Sequence, residues 1–235
     1  MRYAFYISPD QDDPLSAAAE RWLGANPFTG ETSNLEPAGD FSASELTALT
    51  ADPRRYGFHG TLKAPFSLAP GKTEAHLLDE FDSFSEECAP FEIPEMTLGQ
   101  LGPFFALVPA VGCSQLQDLA DETVRRFSPF RAPLSEADIA RRKPELLGDV
   151  MRRNLFDWGY PYVFESFRFH MTLTGPVPLD RQPAMKVLLE QVFAPFIGQP
   201  LGVTSLALFT EPERGAPFTV HSLLPLGGTS KRKMA

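Results

Sequence analysis

The short apolar run Tyr3-Ala4-Phe5-Tyr6-Ile7, bounded by Arg2 and Ser8, reads as a first strand over 2–8, and Pro9-Asp10 ends it. A helix is expected over 13–24, with Asp13 as N-cap, Pro14 at its first position and Gly24 near its end. Residues 26–41 are rich in Gly, Pro, Asn and Ser and read as a loop. Ser42-Ala43-Ser44-Glu45 has capping-box spacing and predicts a short helix to about Thr50. A strand follows over 56–63. Thr73 can cap a helix over 74–88, and strands are expected near 91–98 and 104–109. Leu116, Leu119, Ala120, Val124 and Phe127 lie at helical spacing within 114–127. The segment 128–148 carries proline and many charges and reads as an irregular connector with a short helix, followed by a further helix over 149–157.

The pattern then begins again. A strand is expected over 164–174, a helix over 181–194 capped by Asp180, and strands over 202–210 and 217–224. From Gly227 the chain reads as a frayed tail, with Lys231-Arg232-Lys233 a solvated end. The predicted organisation is one bilobal α+β domain over 1–235. It is an internal duplication with lobes 1–127 and 159–226, connector 128–158 and tail 227–235.

The duplication is carried by one gapless match. Phe58-His59-Gly60-Thr61-Leu62-Lys63-Ala64-Pro65-Phe66-Ser67-Leu68 aligns with Phe169-His170-Met171-Thr172-Leu173-Thr174-Gly175-Pro176-Val177-Pro178-Leu179. A single His-x-Thr is a weak signal; two of them inside a repeated strand-helix-strand-strand frame are a strong one. Residues i and i+2 of a strand share a face. His59 and Thr61 therefore project together, and so do Arg168, His170, Thr172 and Thr174. If a pseudo-twofold relates the halves, the two polar faces meet across a cleft.

Composition narrows the chemistry. The 235 residues are 43% hydrophobic with 20 phenylalanines, enough for a packed core. A net charge of −9 disfavours bulk nucleic acid, which needs clustered Lys and Arg, and points to a small phosphorylated ligand held by a local basic pocket. Cys88 and Cys113 are too few for a disulfide scaffold and read as reduced thiols. The N-terminus is too short for a secretory core, and no apolar run reaches membrane-spanning length, so a soluble, cytoplasmic protein without membrane partners is expected.

Two imidazoles on opposite walls suit in-line hydrolysis of a phosphodiester: one takes a proton from water, the other gives one to the leaving oxygen. Thr61 and Thr172 can donate to the non-bridging oxygens. No His-x-His, His-Glu-x-x-His or Asp-rich cluster lies near either histidine, so neither metal nor cofactor is expected. Lys63, on the His59 face by alternation, Arg168 and Thr174 are candidate ligands for a second phosphate; otherwise the two cations are surface charges beside the cleft.

The paired Phe-His-Gly-Thr-Leu and Phe-His-Met-Thr-Leu strands resemble the two-histidine (2H) phosphoesterase superfamily. The longer strings, 56–63 and 167–175, resemble a bacterial branch often encoded beside genes for phosphonate breakdown. The resemblance implies two facing antiparallel sheets with outer helices and a central cleft. It also implies catalytic His59, Thr61, His170 and Thr172, metal-independent opening of cyclic phosphodiesters, and a substrate such as 5-phosphoribosyl 1,2-cyclic phosphate. Tyr6, Tyr56, Tyr160 and Tyr162 are candidate cleft residues, or else packing residues; Trp158 is open to the same two readings. His76 reads as a surface or packing residue, and His221 as a residue of the last strand that could also line the cleft. Competing functions are a 2′,3′-cyclic phosphodiesterase or ligase acting on RNA ends, a non-catalytic cyclic-phosphate or nucleotide sensor, and a metal-dependent phosphohydrolase.

Overall fold

Local signals fix several element ends where the sequence places them. β1 spans Arg2–Ile7. Asp13 accepts a hydrogen bond from Leu15 N to start α1 (Pro14–Leu23), which ends at left-handed Gly24. Ser42 and Glu45 form both bonds of the capping box of α2 (Ala43–Leu49), and α3 (Ala51–Tyr56) follows directly. Then come β2 (Gly60–Phe66), α4 (Glu74–Glu87) capped by Thr73, β3 (Phe91–Ile93), β4 (Met96–Leu101) and β5 (Phe104–Pro109). The amphipathic α5 covers Ser114–Phe127. The connector holds α6 (Glu136–Arg141) and α7 (Asp149–Trp158). The second half holds β6 (Met171–Thr172), α8 (Gln182–Val192), β7 (Leu201–Val203), β8 (Ser205–Glu211) and β9 (Thr219–Pro225). This computed structural model describes residues 1–228 and the backbone of Lys233–Met234.

The fold is α+β. An antiparallel ladder runs β10 (Lys233–Met234), β9, β8, β1, β2, β6, β5, β4, and β3 and β7 form a separate two-stranded sheet. β10 is paired with Leu223 and Ser222, so the expected fraying does not hold there; Lys231 and Arg232 lie outside the described residues. The two halves of the ladder do not coincide with lobes 1–127 and 159–226. β2 from the first copy pairs with β1, which pairs with β8, while β6 from the second copy pairs with β5. Each half of the ladder thus draws strands from both copies.

One face of the ladder carries the main core. Phe5, Leu62, Leu107 and Leu208 pack there against Leu23 of α1, Phe81 of α4, Phe127 of α5 and Leu189 of α8. A smaller apolar cluster, Ala4, Tyr6, Ala207, Phe209, Phe218 and Val220, occupies the other face of β1, β8 and β9. That second face carries the site.

The second motif strand is much shorter than 164–174. Residues Phe164–Ser166 form a 3-10 turn in which Phe164 has φ 53°, a left-handed backbone that a ladder does not accept, and only Met171–Thr172 pairs. Asp180 does not cap α8: it lies inside a 3-10 turn, Leu179–Arg181, and Pro183 occupies the first turn of the helix instead.

Candidate active site

The two motifs meet at a single antiparallel bridge, Gly60 opposite Met171. Continuing that register by one residue each way sets His59 beside Thr172 and Thr61 beside His170. Directly opposed residues share a face, so all four catalytic candidates stand on one side of the seam, histidine diagonal to histidine.

The backbone before each histidine fixes its tautomer. Gly57, φ 71°, turns the chain from α3 into β2; a Cβ there would come within 2.7 Å of Pro27. Its carbonyl accepts from His59 Nδ1 at 2.9 Å, and the Arg168 carbonyl accepts from His170 Nδ1 at 2.8 Å. A carbonyl cannot donate, so each Nδ1 carries a hydrogen and each Nε2 is left for chemistry. His59 Nε2 lies 3.0 Å from Thr61 Oγ1, which donates to it when the ring is neutral.

The two histidines differ in setting. His59 stacks flat on the Tyr6 ring, centroids 3.6 Å apart and 17° from parallel, with Phe209 6.1 Å away. Part of the ring still faces the cleft, but protein packs the rest. Burial, opposed by the Gly57 hydrogen bond and aided by the nearby His170, pushes its pKa down to about 4. His59 is therefore neutral at neutral pH. His170 is more open, with the Phe104 ring 5.8 Å from it.

A cleft of about 300 Å3 opens beside the seam, lined by His59, Thr172, Thr174, Tyr56, Phe104 and Asp52 among others, while Thr61 and His170 lie outside that lining, His170 next to its Phe104 wall. Among the described residues no three His, Cys, Asp or Glu side chains gather where a metal ion could be held. No helix there is long and apolar enough to cross a membrane. Cys88 and Cys113 are both free thiols.

Several expected ligands fall elsewhere. Thr61 sits opposite Tyr6, but Lys63 sits opposite Phe5, because β2 has one extra residue between them. Tyr6 and Phe5 point to opposite faces, so this bulge turns Lys63 away from Thr61. Its Nζ donates instead to the Val124 carbonyl of α5 at 3.3 Å and lies near the Phe66 ring. Arg168 is exposed and folds back onto the Phe167 carbonyl at 2.7 Å, outside the cleft lining. Thr174 does line the cleft, but its Oγ1 accepts from Phe105 N at 3.0 Å and stitches the strand to β5. Tyr56 lines the cleft and Tyr6 floors His59. Tyr160 lies beside Lys63, outside that lining, and Tyr162 is exposed, edge-on to Tyr160. His221 bonds Ser222 Oγ on β9, away from the cleft.

Phe104, Asp52 and the orienting carbonyls of Gly57 and Arg168 were not legible as site residues. Phe104 and Asp52 are distant from the motifs or outside their period. The carbonyls carried one signal: each stands two residues before its histidine.

Residues 61–219 match the family described as "Protein of unknown function (DUF1045)", and the chain belongs to that family. Two curated relatives are similar over nearly all of it. One, from Janthinobacterium sp. (strain Marseille), is named ribose 1,5-bisphosphate phosphokinase PhnN; it is 36% identical over 98% of this chain and 52% of its own length. The other, of the same name from Laribacter hongkongensis (strain HLHK9), is 35% identical over 99% and 54%. The chain spans about half the length of these relatives. Among solved structures, TT0787 of Thermus thermophilus aligns with TM-score 0.47 and 16% identity, over 98% of this chain and 100% of that one. E. coli LigT complexed with 3′-AMP aligns with TM-score 0.44 and 14% identity, over 96% and 97%.

Proposed function

We propose that this chain is a metal-independent two-histidine phosphoesterase that opens a small cyclic phosphate ester. The observation that carries the reading is the seam itself. Two His-x-Thr motifs lie diagonal across one bridge, each Nδ1 tied to the carbonyl two residues back and each Nε2 left for chemistry.

In the proposed step, water attacks phosphorus in line with the ring oxygen that leaves. His59 Nε2, held neutral by burial, takes the water's proton. His170 Nε2–H gives a proton to the departing alkoxide, so a cyclic diester and water become a phosphomonoester and a hydroxyl. Thr61 and Thr172 donate to the non-bridging oxygens, Thr61 by leaving its resting bond to His59. The next turnover begins when the two rings have exchanged their proton with solvent.

The curated relatives' name places them in ribose phosphate chemistry, which supports a phosphorylated ribose cyclic phosphate, such as 5-phosphoribosyl 1,2-cyclic phosphate, as substrate. Their kinase activity is not assigned to this segment. A P-loop needs Gly-x-x-x-x-Gly-Lys-Ser/Thr, and Gly71-Lys72-Thr73 has Phe66 where the first glycine belongs.

The test is phosphorus NMR of chelator-treated protein with 5-phosphoribosyl 1,2-cyclic phosphate and, separately, a 2′,3′-cyclic nucleotide. Opening of the ribose ester by the wild type but not by His59→Ala or His170→Ala is the expected result. Opening of the nucleotide alone would move the substrate to RNA ends. Binding without turnover of either would replace the enzyme with a sensor.

A further inference from the structure

The connector between the repeats has no part in the proton transfers, yet it builds a strongly cationic pocket. Arg131, Arg141 and Arg142 join Arg2 of β1 and Arg214 of the β8–β9 turn around a cavity of about 50 Å3. Asp138 is the one carboxylate among its lining residues. In a chain of net charge −9, five guanidiniums against one carboxylate is a local inversion of charge.

The internal pairings leave part of that charge uncompensated. Asp138 holds Arg214 through both oxygens, at 2.9 and 3.2 Å, and Arg141 at 3.1 Å. Arg2 pairs with Glu211. Arg131 bonds only the carbonyls of Ala132 and Asp157, and its buried Nε has no hydrogen-bond partner. Arg142 lies over the Tyr160 ring, 4.8 Å from its centroid. Among the described residues neither Arg131 nor Arg142 has a carboxylate within ion-pair distance.

Size and position narrow the occupant. A buried water needs roughly 10–15 Å3, so the cavity has room for about four such groups, the oxygen count of a phosphate, and none for a sugar or base. Arg2, Ala4 and Tyr6 alternate along β1 and share the face on which Tyr6 floors His59. Four residues of strand span roughly 13 Å between Cα atoms, and an arginine side chain closes part of that. Tyr160, under Arg142, lines the adjoining wall with Lys63, Ala64, Pro65 and Arg131.

We propose that this pocket receives a terminal phosphomonoester carried by the substrate. The substrate class is then a small bisphosphorylated ligand, with its cyclic diester at the histidines and its monoester among the arginines. The role expected of Lys63 and Arg168 passes to the connector. The proposal rests on the phosphoesterase reading of the histidine pair, and both arms of its test are binding measurements that need no turnover.

In the first arm, inorganic phosphate is titrated into the full chain and followed by phosphorus line width. Arg142→Gln is expected to weaken binding about tenfold or more, as loss of one charge-assisted contact does. Arg214→Gln, at an exposed guanidinium whose charge Asp138 already offsets, is expected to weaken it less. Binding that survives Arg142→Gln but is lost in His170→Ala would put the anion in the histidine cleft and overturn the proposal, as would no binding at all. In the second arm, the His170→Ala chain is titrated with ribose 1,2-cyclic phosphate with and without the 5-phosphate. The phosphorylated ester should bind about tenfold tighter, and the preference should vanish in His170→Ala/Arg142→Gln. A preference that Arg142→Gln leaves unmoved means the pocket takes free phosphate only, and the substrate subsite fails. Failure of the phosphoesterase reading would show separately, as wild-type protein that opens neither ester.

Discussion

Tyr6 lies flat beneath His59, ring on ring at 3.6 Å, with Phe209 and Phe218 packed around the tyrosine. The contact ties the candidate base to the smaller apolar cluster and makes its burial a property of β1 rather than of its own strand. Tyr6→Phe keeps the ring and should leave the His59 pKa where it is. Tyr6→Ala admits water beside the imidazole and should raise that pKa from about 4 towards the ordinary value near 6.5. NMR titration of the His59 ring decides it. An unmoved pKa in a folded Tyr6→Ala chain would mean that other walls keep His59 dry.

The same burial sets a pH dependence with a definite sign. If neutral His59 is the base, kcat/KM falls about tenfold per pH unit only below about 4, where the folded chain finally takes up the proton. Stability moves over a different window. Between 6.5 and 4 the unfolded chain binds a proton that the folded chain refuses, so stability is full above 6.5 and drops as pH falls towards 4. His59→Gln should flatten that part of a urea-midpoint profile. An acid limb near 6.5 in the wild type would exclude His59 as the base.

What was legible depended on how local the cause was. The α5 stripe, the Asp13 and Ser42 caps and the Gly24 stop are decided within a few residues, and each stands where the sequence places it. The four catalytic candidates follow from period two along two short strings, and the bridge brings those strings together. The failures are non-local. Lys63 obeys the alternation in sequence and breaks it in space, because β1 and β2 differ by one residue in their pairing. Thr174 has the right face, but β5 takes its oxygen. Strand order is set by which edges meet, so nothing in either repeat announces that β2 pairs with β1 and β6 with β5. The five arginines of the pocket come from three separate stretches of chain, none of which has a motif.

Lys63 offers a test of that bulge. Its ammonium is buried under α5, and burial, with Arg131 nearby, pushes its pKa down to about 7. From pH 7 to about 10.5 the unfolded chain holds a proton that the folded chain has released, so this group costs most stability below 7 and progressively less above. Lys63→Met should raise stability at pH 7 by about 1–3 kcal/mol and remove the rise between pH 7 and 10. Urea unfolding at both pH values reads the two effects together. A destabilised Lys63→Met chain with the same slope would show that the Val124 carbonyl needs its donor.

The seam itself depends on Gly60. A Cβ on Gly60 would come within 2.2 Å of Cε2 and 2.3 Å of Cζ of Phe169, so the phenylalanine before the second histidine packs directly on the glycine after the first. Gly60→Ala must push the Phe169 ring away, and with it the strand that carries His170. Overpacking of this kind costs about 1–3 kcal/mol, and a small change in the spacing of the two histidines should lower kcat about a hundredfold. Phe169→Leu alone leaves a gap and should cost about 1–2 kcal/mol. Combined, Gly60→Ala/Phe169→Leu gives the new methyl room, so the double variant should be more stable than the sum of the singles and recover part of the activity. Thermal unfolding and turnover of all four chains complete the cycle. Additive losses would mean that the two residues do not constrain each other, and that the histidine spacing is set elsewhere in the ladder.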